Sequence, residues 1–377
     1  MEHNIQEFVE NEFYFLHSHP ELSYQEFETT KRLKKALESF SINILPYNLE
    51  TGLVAQIGQG KPSIALRADI DALPIQEETS LSYKSLNDGV MHACGHDSHA
   101  AALLGAAILL KQNEDKLKGA VRLIFQPAEE APGGARKILE AGALDGIKAI
   151  YGIHSAYEHE VGEVSIAIGP DHAAVERFYI ELKGKGVHAA HPELGNDVIV
   201  ALSQIVSAAQ TIVSRNLSPT TSNVVSITRI SAGNTWNVIP EKAIVEGTIR
   251  TYTKETRQIA KDRFEQIVKG IGTAFNLEVN LIWKVELPPT DNDEKLAKFA
   301  QNIAKADGFK LVEGEKSLGG EDFSIYQESV KGSFILFGTG KGAPAHNPQF
   351  KVDKRAIYPM SKYLAHLATA YLEKHHD

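Results

Sequence analysis

Met91-His92-Ala93-Cys94-Gly95-His96-Asp97 runs directly into Ser98-His99-Ala100-Ala101-Ala102-Leu103-Leu104, so a polar segment is followed at once by an apolar, helix-like run. Cys94 is the single cysteine of the chain, and an imidazole and a carboxylate follow it within three residues. A thiol, an imidazole and a carboxylate this close together form a compact ligand set for a divalent metal, and the intervening glycine lets the backbone turn tightly. The pattern predicts a site built where a loop enters a helix.

The composition indicates a soluble globular protein with more than one domain. The chain has 377 residues, 43% hydrophobic and 23% charged, which is long for one compact core. Its net charge of −9 and the lack of a long Lys/Arg run argue against a nucleic-acid partner. A single cysteine excludes an internal disulfide and fits a reducing compartment.

No targeting or membrane segment is expected from the sequence. The N-terminal residues 1–7 are polar and acidic, unlike a secretory signal. The most apolar stretch, residues 100–110, is shorter than the ~20 residues that a membrane span needs. We therefore expect a cytoplasmic protein with no membrane partner.

The first part of the chain alternates helices and strands. Ser23-Tyr24-Gln25-Glu26 has the capping-box pattern and predicts a helix that continues through Leu33 and Leu37. A further helix is predicted over residues 137–141. Short apolar runs predict buried strands at 52–58, 63–68, 121–125 and 149–153. This alternation predicts an α/β fold, a three-layer αβα domain.

The pattern changes near Val175. Amphipathic helices are predicted over 197–214, with Ile199 on the apolar side, and over 256–275. With strands at 177–182, 224–230, 243–252 and 277–283, they give the order βαββαβ of a ferredoxin-like unit. The first pattern then resumes with a helix, a strand at 333–338 and a terminal helix. We therefore predict a catalytic metal-binding domain of residues 1–174 and 289–377, with residues 175–288 inserted as a smaller domain.

Further polar residues follow predicted strands of the larger domain. Each alone is more often structural, because paired glutamates usually form a solvated face, a lone histidine is usually a satisfied structural residue, and a single buried cysteine is usually a small apolar residue. Their coincidence at strand ends in one domain favours a common site, since α/β folds gather ligands there. These residues are Asp69, Asp71, Glu129, Glu130, His154 and His346.

These residues lie in stretches that resemble the amidohydrolase branch of the dizinc aminoacylase and carboxypeptidase-G-like metallopeptidases. The branch includes N-acyl-amino-acid amidohydrolases, hippurate hydrolases and N-acetyldiaminopimelate deacetylases. The resemblance covers nearly the whole chain, with the motifs in order. The matching stretches are His19-Pro20-Glu21-Leu22 with Glu26 and Thr29, 67–74, 91–97, 125–130, 184–190, 237–240, 247–250, 319–323 and His346.

The resemblance implies two divalent metal ions. Their ligands would be Cys94, His96, Glu130, His154 and His346. The thiolate of Cys94 would bridge the ions, where other branches use an aspartate. Two neighbouring ions activate a bridging water and polarise a carbonyl. A thiolate and imidazoles favour zinc, while manganese, cobalt and nickel stay open.

The resemblance also implies roles for other residues of the larger domain. Glu129 would be the general acid/base, taking a proton from the water and passing it to the leaving nitrogen. Asp71 would orient a ligand histidine, or else cap a loop. Asp69 stands where other branches carry a ligating histidine, and its role stays open.

In the smaller domain, the resemblance implies substrate contacts. His188 would stabilise the tetrahedral oxyanion, often across a dimer interface. Asn237 and Arg250 would hold the substrate carboxylate, although Arg250 is nearly as well explained as a charge on a strand surface. Glu321, which the predicted boundaries place in the larger domain, would support the metal site or bind a substrate amine.

Taken together, these features predict a metal-dependent amidohydrolase that releases a carboxylate and a free amino acid from an N-acyl, in particular an N-acetyl, amino acid. The inserted domain would serve as a lid and would form a homodimer or higher homo-oligomer. The alternatives are a dipeptidase or carboxypeptidase on the same scaffold and a non-catalytic binding homologue. The acyl group and the amino acid stay open, with N-acetyldiaminopimelate, N-acetylcysteine and hippurate-like substrates all compatible.

Overall fold

The computed structural model describes residues 2–131, 133–314 and 316–376. The chain forms two compact units, the first made of Met1–Gly169, Asp291–Glu315 and Asp322–Asp377, the second of Pro170–Thr290 and Lys316–Glu321. The sequence placed the boundaries at 174/175 and 288/289. It also assigned the short segment 316–321 to the larger domain, whereas this segment groups with the second unit.

The helices and strands are numbered in chain order. The helices are α1 (Glu2–Ser18), α2 (Phe27–Ser39), α3 (His96–Gln112), α4 (Gly134–Glu140), α5 (Val198–Thr211), α6 (Lys254–Ala274), α7 (Glu294–Ala306), α8 (Phe323–Tyr326) and α9 (Ile357–Lys374). The strands are β1 (Asn43–Ile44), β2 (Leu53–Gly58), β3 (Ser63–Asp69), β4 (Ala120–Gln126), β5 (Ala149–Ala156), β6 (Glu163–Ser165), β7 (Gly169–His172), β8 (Ala174–Lys183), β9 (Val187–His188), β10 (Val224–Ala232), β11 (Val238–Ile239), β12 (Lys242–Thr251), β13 (Glu278–Leu287), β14 (Thr290–Asn292), β15 (Lys310–Leu311) and β16 (Gly332–Gly338).

A mixed sheet forms the centre of the first unit. In the described part of the chain it has eight strands in the order β1-β2-β4-β3-β5-β16-β6-β15. The four strands β4, β3, β5 and β16 are mutually parallel. They are buried on both faces, which explains why their sequences are continuous apolar runs. Since parallel strands end at the same edge of a sheet, the segments that follow these four strands emerge side by side.

Helices cover both faces of this sheet. On one face, α3 and α9 contact each other and β3, and Tyr151 of β5 lies 6.4 Å from Tyr371 of α9 between ring centroids. The next residue of β5, Gly152, faces the other way. A Cβ there would lie 2.7 Å from the ring of Phe323 in α8. The larger unit is therefore the three-layer αβα domain that the sequence predicts.

The second unit contains an antiparallel sheet with the order β10-β12-β8-β13. Helices α5 and α6 pack on it, and Phe178 of β8 meets Phe264 of α6 with ring centroids 4.3 Å apart. The main elements follow the chain order β8-α5-β10-β12-α6-β13. This is the βαββαβ order predicted for a ferredoxin-like unit.

The predicted capping box at residues 23–26 is wrong. α2 begins at Phe27, and the side chain of Glu26 makes no cap hydrogen bond to it. Tyr24 has a φ of 64°, so the chain turns sharply before the helix. The carboxylate of Glu21 instead accepts the N–H groups of Glu28 (3.2 Å) and Thr29 (2.7 Å) and caps the helix from the preceding loop.

Helix α5 differs from the prediction in two respects. Ile199, expected on its apolar side, is 45% exposed, whereas Leu202 and Ile205 are buried. From the sequence, residues 100–110 are expected to be the most apolar stretch, which is too short to cross a membrane. The helical stretch Val198–Asn216, among the described residues, is instead long and apolar enough to do so by length and composition. Its inner face belongs to the hydrophobic core of the second unit, so we interpret it as a packed helix of that unit.

Close packing of α3 gives a stability prediction. At Gly105 a Cβ would lie 2.4 Å from Ser361 Oγ of α9 and 2.7 Å from Val9 Cγ2 of α1. We expect Gly105→Ala to lower the free energy of unfolding by about 1–3 kcal/mol, because overpacking outweighs the better helix propensity of alanine. Gly270→Ala is the matched control, since a Cβ at that position in α6 would have no described atom within 4 Å apart from its chain neighbours and the backbone of its own helix. Chemical denaturation measures both variants, and an unchanged or higher unfolding free energy for Gly105→Ala would contradict the packing described.

Candidate metal centre

The five predicted ligands lie together at the carboxyl edge of the parallel strands of the first unit. Two groups of potential ligand atoms, each within 4.8 Å of one another, share the sulfur of Cys94. One group adds His96 and His154, and the other adds Glu130 and His346. A third group joins Glu129 to His96 and Glu130, so the predicted acid/base residue lies beside the same cluster.

The distances within the cluster are short. The sulfur of Cys94 lies 3.4 Å from His154 Nε2. Glu130 Oε1 lies 3.3 Å from His346 Nε2 and 3.9 Å from His96 Nε2. A thiol shared by two groups of ligands is the arrangement expected for a sulfur that bridges two ions.

The backbone conformation at Gly95 and His346 fixes the two loops that carry the Cys94 and His346 side chains. Gly95 has a φ of 88° and lies so close to Ser155 that a Cβ would be 2.4 Å from its Oγ. The hydroxyl of Ser155 donates to the carbonyl of Cys94 (2.9 Å). His346, with a φ of 64°, donates its backbone N–H to the carbonyl of Ala93 (2.8 Å). The loop before α3 therefore has no room for a side chain at position 95.

The histidine rings are oriented for cation binding. His96 Nδ1 donates to the carbonyl of Asp71 (2.9 Å), and His154 Nδ1 donates to the carbonyl of Ser155 (2.9 Å), which leaves Nε2 of each ring as the lone-pair nitrogen when the ring is neutral. His96 Nε2 and Glu130 Oε1 are buried without a hydrogen-bond partner in the described part of the chain. Orphaned buried polar atoms are costly, and a cation between these two would satisfy both. The residues present therefore fit a metal centre.

The electrostatics also fit a cation. Burial raises the pKa of the Cys94 thiol and lowers the pKa of His154 well below its ordinary value. At His96 burial also favours the neutral ring, but the carboxylates of Asp69 and Asp71 outweigh it and raise the pKa well above the usual value. The negative field that holds a proton on His96 would equally favour a divalent cation.

Asp71 organises this edge of the sheet. Its Oδ1 accepts the N–H of Glu129 (3.0 Å) and lies 3.3 Å from His96 Nδ1. Its Oδ2 accepts the N–H of Glu130 (3.0 Å) and the hydroxyl of Ser23 (2.6 Å). Burial disfavours the charged form, but the contacts with His96, Ser23 and Glu130 outweigh it and lower the pKa of Asp71. Asp71 thus contacts His96 and also holds the backbone N–H groups of Glu129 and Glu130.

A buried polar network lies beneath the cluster. Asp69, whose role is open from the sequence, accepts hydrogen bonds from His99 Nδ1 (2.6 Å) and Arg67 Nη1 (2.6 Å). His99 Nε2 accepts the N–H of Ser155 (2.7 Å), next to His154, and Arg67 Nη2 donates to Asp322 (2.8 Å). Two signals in the sequence point to this network. They are a histidine one helical turn after His96 and an arginine inside an apolar strand.

The other four predicted site residues belong to the second unit. His188 of β9 pairs with Val238 of β11, and the N–H of Ala189 donates to the carbonyl of Asn237 (3.0 Å), so His188 and Asn237 are neighbours. Arg250 lies on β12, where burial lowers its pKa, and Glu321 is buried.

Comparison with known proteins gives relatives over nearly the whole chain. An N-acetyl-L-cysteine deacetylase of Bacillus subtilis is 47% identical over 364 residues, covering 96% of this chain and 88% of the relative. Thermostable carboxypeptidase 1 of Saccharolobus solfataricus is 37% identical over 357 residues, covering 91% of this chain and 90% of the relative. The crystal structure of the Bacillus subtilis YXEP protein, described as a dinuclear metal-binding peptidase of the M20 family, superimposes with a TM-score of 0.88 at 43% identity, covering 98% of this chain and 99% of that chain.

Residues 65–370 match the peptidase family M20/M25/M40, a span that includes every predicted metal ligand and Glu129. With this match and relatives of this identity, the chain belongs to the peptidase family M20/M25/M40 and is a hydrolase.

Proposed function

We propose that this protein hydrolyses the amide bond of N-acyl amino acids, with N-acetyl amino acids as the preferred class. The observation that carries the proposal is the cluster at the strand edge, in which two groups of ligand atoms share Cys94 and Glu129 lies beside them. The 47% identical relative, an N-acetyl-L-cysteine deacetylase, supports the acyl class.

The proposed cofactor is a pair of divalent cations. Cys94 would contact both, with His96 and His154 on one side and Glu130 and His346 on the other. Bound there, the cations would lower the pKa of water and polarise the scissile carbonyl. Zinc suits the thiolate and imidazoles, and manganese, cobalt or nickel are the alternatives.

Glu129 is the proposed proton carrier. Its backbone N–H is held by Asp71 (3.0 Å), while Glu130, the next residue, directs its carboxylate to His96 and His346. In hydrolysis the carboxylate of Glu129 takes a proton from the attacking water and gives it to the leaving nitrogen as the C–N bond breaks. The second transfer is needed because an amine anion is a very poor leaving group.

The second unit is proposed to supply contacts to the rest of the substrate. His188 would donate to the oxyanion, with Asn237 nearby on the neighbouring strand. Arg250, which is partly buried on β12, would hold the substrate carboxylate, because a guanidinium group can grip a carboxylate with two parallel hydrogen bonds. Glu321 would act as a supporting carboxylate.

The second unit is also the proposed surface for a homodimer or higher homo-oligomer. Strand β10 is an edge of its sheet, and Ile199 and Val200 of α5 are each 45% exposed. A cytoplasmic location is proposed from the single buried thiol, which suits a reducing compartment.

A carboxypeptidase is the second candidate, favoured by the 37% identical thermostable carboxypeptidase 1. Both reactions cleave an amide next to a carboxylate-bearing residue. They differ in the acyl side of the amide, which is a simple acyl group such as acetyl in the first reaction and an amino-acid or peptide residue in the second. A non-catalytic homologue is disfavoured because the five ligands and Glu129 are all present.

Metal content tests the ligand assignment. We expect the purified protein to hold about two divalent ions per chain, His154→Ala to hold about one, and Cys94→Ala to lose both, since only the sulfur belongs to both groups. His366→Ala is the control, because this exposed ring pairs with Asp307 outside the cluster. Elemental analysis after gel filtration measures the content, and a Cys94→Ala variant that kept both ions would contradict a bridging sulfur.

Hydrolysis tests the function and the role of Glu129. We expect release of free amino acid from N-acetyl amino acids to exceed release from unblocked dipeptides. Glu129→Gln should lower kcat by roughly 10²–10⁴-fold at unchanged metal content, because the amide cannot carry the proton. Amine release from matched panels of acetylated amino acids and dipeptides measures both. A preference for dipeptides would favour the carboxypeptidase over the N-acyl amino acid hydrolase. Full activity of Glu129→Gln would contradict the role of Glu129 as proton carrier.

A further inference from the structure

The N-terminal motif His19-Pro20-Glu21-Leu22 with Glu26 and Thr29 has no role in the function proposed above. Glu21 and Thr29 are explained by the cap of α2, in which the Glu21 carboxylate accepts the N–H of Thr29. Glu26 is different. It lies at the N-cap position of α2, makes no cap hydrogen bond there, and its side chain is fully buried.

The carboxylate of Glu26 points at the segment that carries the glutamate pair. Its Oε1 accepts the N–H of Ala128 (2.8 Å). The next two N–H groups, of Glu129 and Glu130, donate to the two oxygens of Asp71 (3.0 Å each). Three consecutive amides are thus held by two buried carboxylates, an arrangement we call the carboxylate clamp.

The backbone that the clamp holds is strained. Ala128 has a φ of 50°, in the left-handed region that residues with a Cβ rarely adopt. Such a conformation persists only where the surroundings determine it from several sides. On another side the segment is confined by Gly134 of α4, where a Cβ would lie 2.0 Å from the carbonyl oxygen of Pro127 and 2.4 Å from that of Ala128.

Glu26 is a costly residue to bury for a purely structural purpose. Its second oxygen, Oε2, is buried and makes no hydrogen bond of good geometry among the described residues. Burial raises the pKa of Glu26 and outweighs Thr51 and the N–H of Ala128, which favour the charged form. A carboxylate in such a place is unfavourable unless its contacts are needed. The helix does not need it, because Glu21 already caps α2 with two hydrogen bonds.

We propose that Glu26 is a positioning residue for hydrolysis, which holds Ala128 in its left-handed conformation so that Glu129 faces the reacting amide and Glu130 faces the metal ligands. The proposal rests on the proposed function for its kinetic consequence. Among the described residues, the Glu26 side chain accepts the N–H of Ala128 and lies by Thr51, neither of which is a predicted metal ligand, and it would act through the N–H of Ala128. Burial of Leu33 and Leu37 anchors α2, so Glu26 is presented from a fixed helix.

Four variants test the proposal. Glu26→Ala removes the acceptor, and Glu26→Asp shortens it by one methylene while keeping the charge. Glu26→Gln keeps a carbonyl oxygen at the same reach. Glu21→Ala is the matched control, because it removes two hydrogen bonds to the start of the same helix and none to residues 128–130.

Two measurements are made on the proteins as purified, at metal content determined for each. The first is kcat and KM for an N-acetyl amino acid. The second is hydrogen–deuterium exchange of the peptide covering residues 125–136, which reports on the amides directly and needs no activity.

We expect kcat of Glu26→Ala and Glu26→Asp to fall about 10-fold or more with KM within about 2-fold, since small misplacement of a reacting group is expensive. Exchange of the 125–136 peptide should be faster in both variants. Glu26→Gln should recover most of both readouts, and Glu21→Ala should lower stability without changing either.

The proposal is overturned if Glu26→Ala and Glu26→Asp fold and keep wild-type kcat and exchange. It is also overturned if Glu21→Ala produces the same losses, because Glu26 would then act only through the helix. If Glu26→Ala does not fold, Glu26→Asp decides. If the wild-type protein releases no amino acid from the substrate panel, the proposed function fails, and the exchange readout decides alone whether Glu26 holds the segment.

Discussion

The carboxylate of Asp71 is the contact on which the site depends. It is almost fully buried, and it meets four groups from three separate parts of the chain: the hydroxyl of Ser23, the N–H groups of Glu129 and Glu130, and the ring of His96. These parts are brought to one point because the parallel strands β3 and β4 end side by side. A hydrophobic core fixes the strands. At their edge, the ionised carboxylate of Asp71 holds the site residues in place by hydrogen bonds.

The site concentrates negative charge around the buried ring of His96. Asp69 and Asp71 are buried beside His96, and carboxylate oxygens of Glu129 and Glu130 lie within 4.8 Å of its ring nitrogen. Arg67 compensates part of this charge from below, through Asp69 and Asp322. The remainder favours a bound cation, and the buried thiol of Cys94, whose pKa burial raises, would ionise only beside one. Metal binding and the protonation of these groups are therefore linked.

Much of the architecture can be predicted from the sequence because its signals are local. Continuous apolar runs such as residues 121–125 and 149–153 mark strands buried on both faces, and the change in pattern near Val175 marks a second unit. The meeting of Cys94, His154 and His346 follows from strand ends at one edge, once the strands are known to be parallel. The individual ligand assignments came from the family resemblance, and spacing alone left each of them open.

Near the site, contacts between residues that are distant in the chain are not predicted from the sequence. Ser23 and Glu26 have the spacing of a capping box, but a turn at Tyr24 directs their side chains to Asp71 and Ala128 instead. The hydrogen bond from the N–H of Ser155 to His99 Nε2 also cannot be inferred from the hydrophobic periodicity of the sequence, because it depends on how α3 packs against β5. Sequence rules that use only neighbouring residues cannot predict such contacts. In this chain, these contacts surround the candidate site.

In the proposed metal centre, two cations share the sulfur of Cys94. Anomalous X-ray diffraction from crystals of the protein purified with zinc, collected on both sides of the metal edge, tests it most directly. We expect two anomalous peaks, both with the Cys94 sulfur as a ligand at about 2.3 Å, one flanked by His96 and His154 and the other by Glu130 and His346. A single peak, or two peaks of which only one contacts the sulfur, would contradict the account.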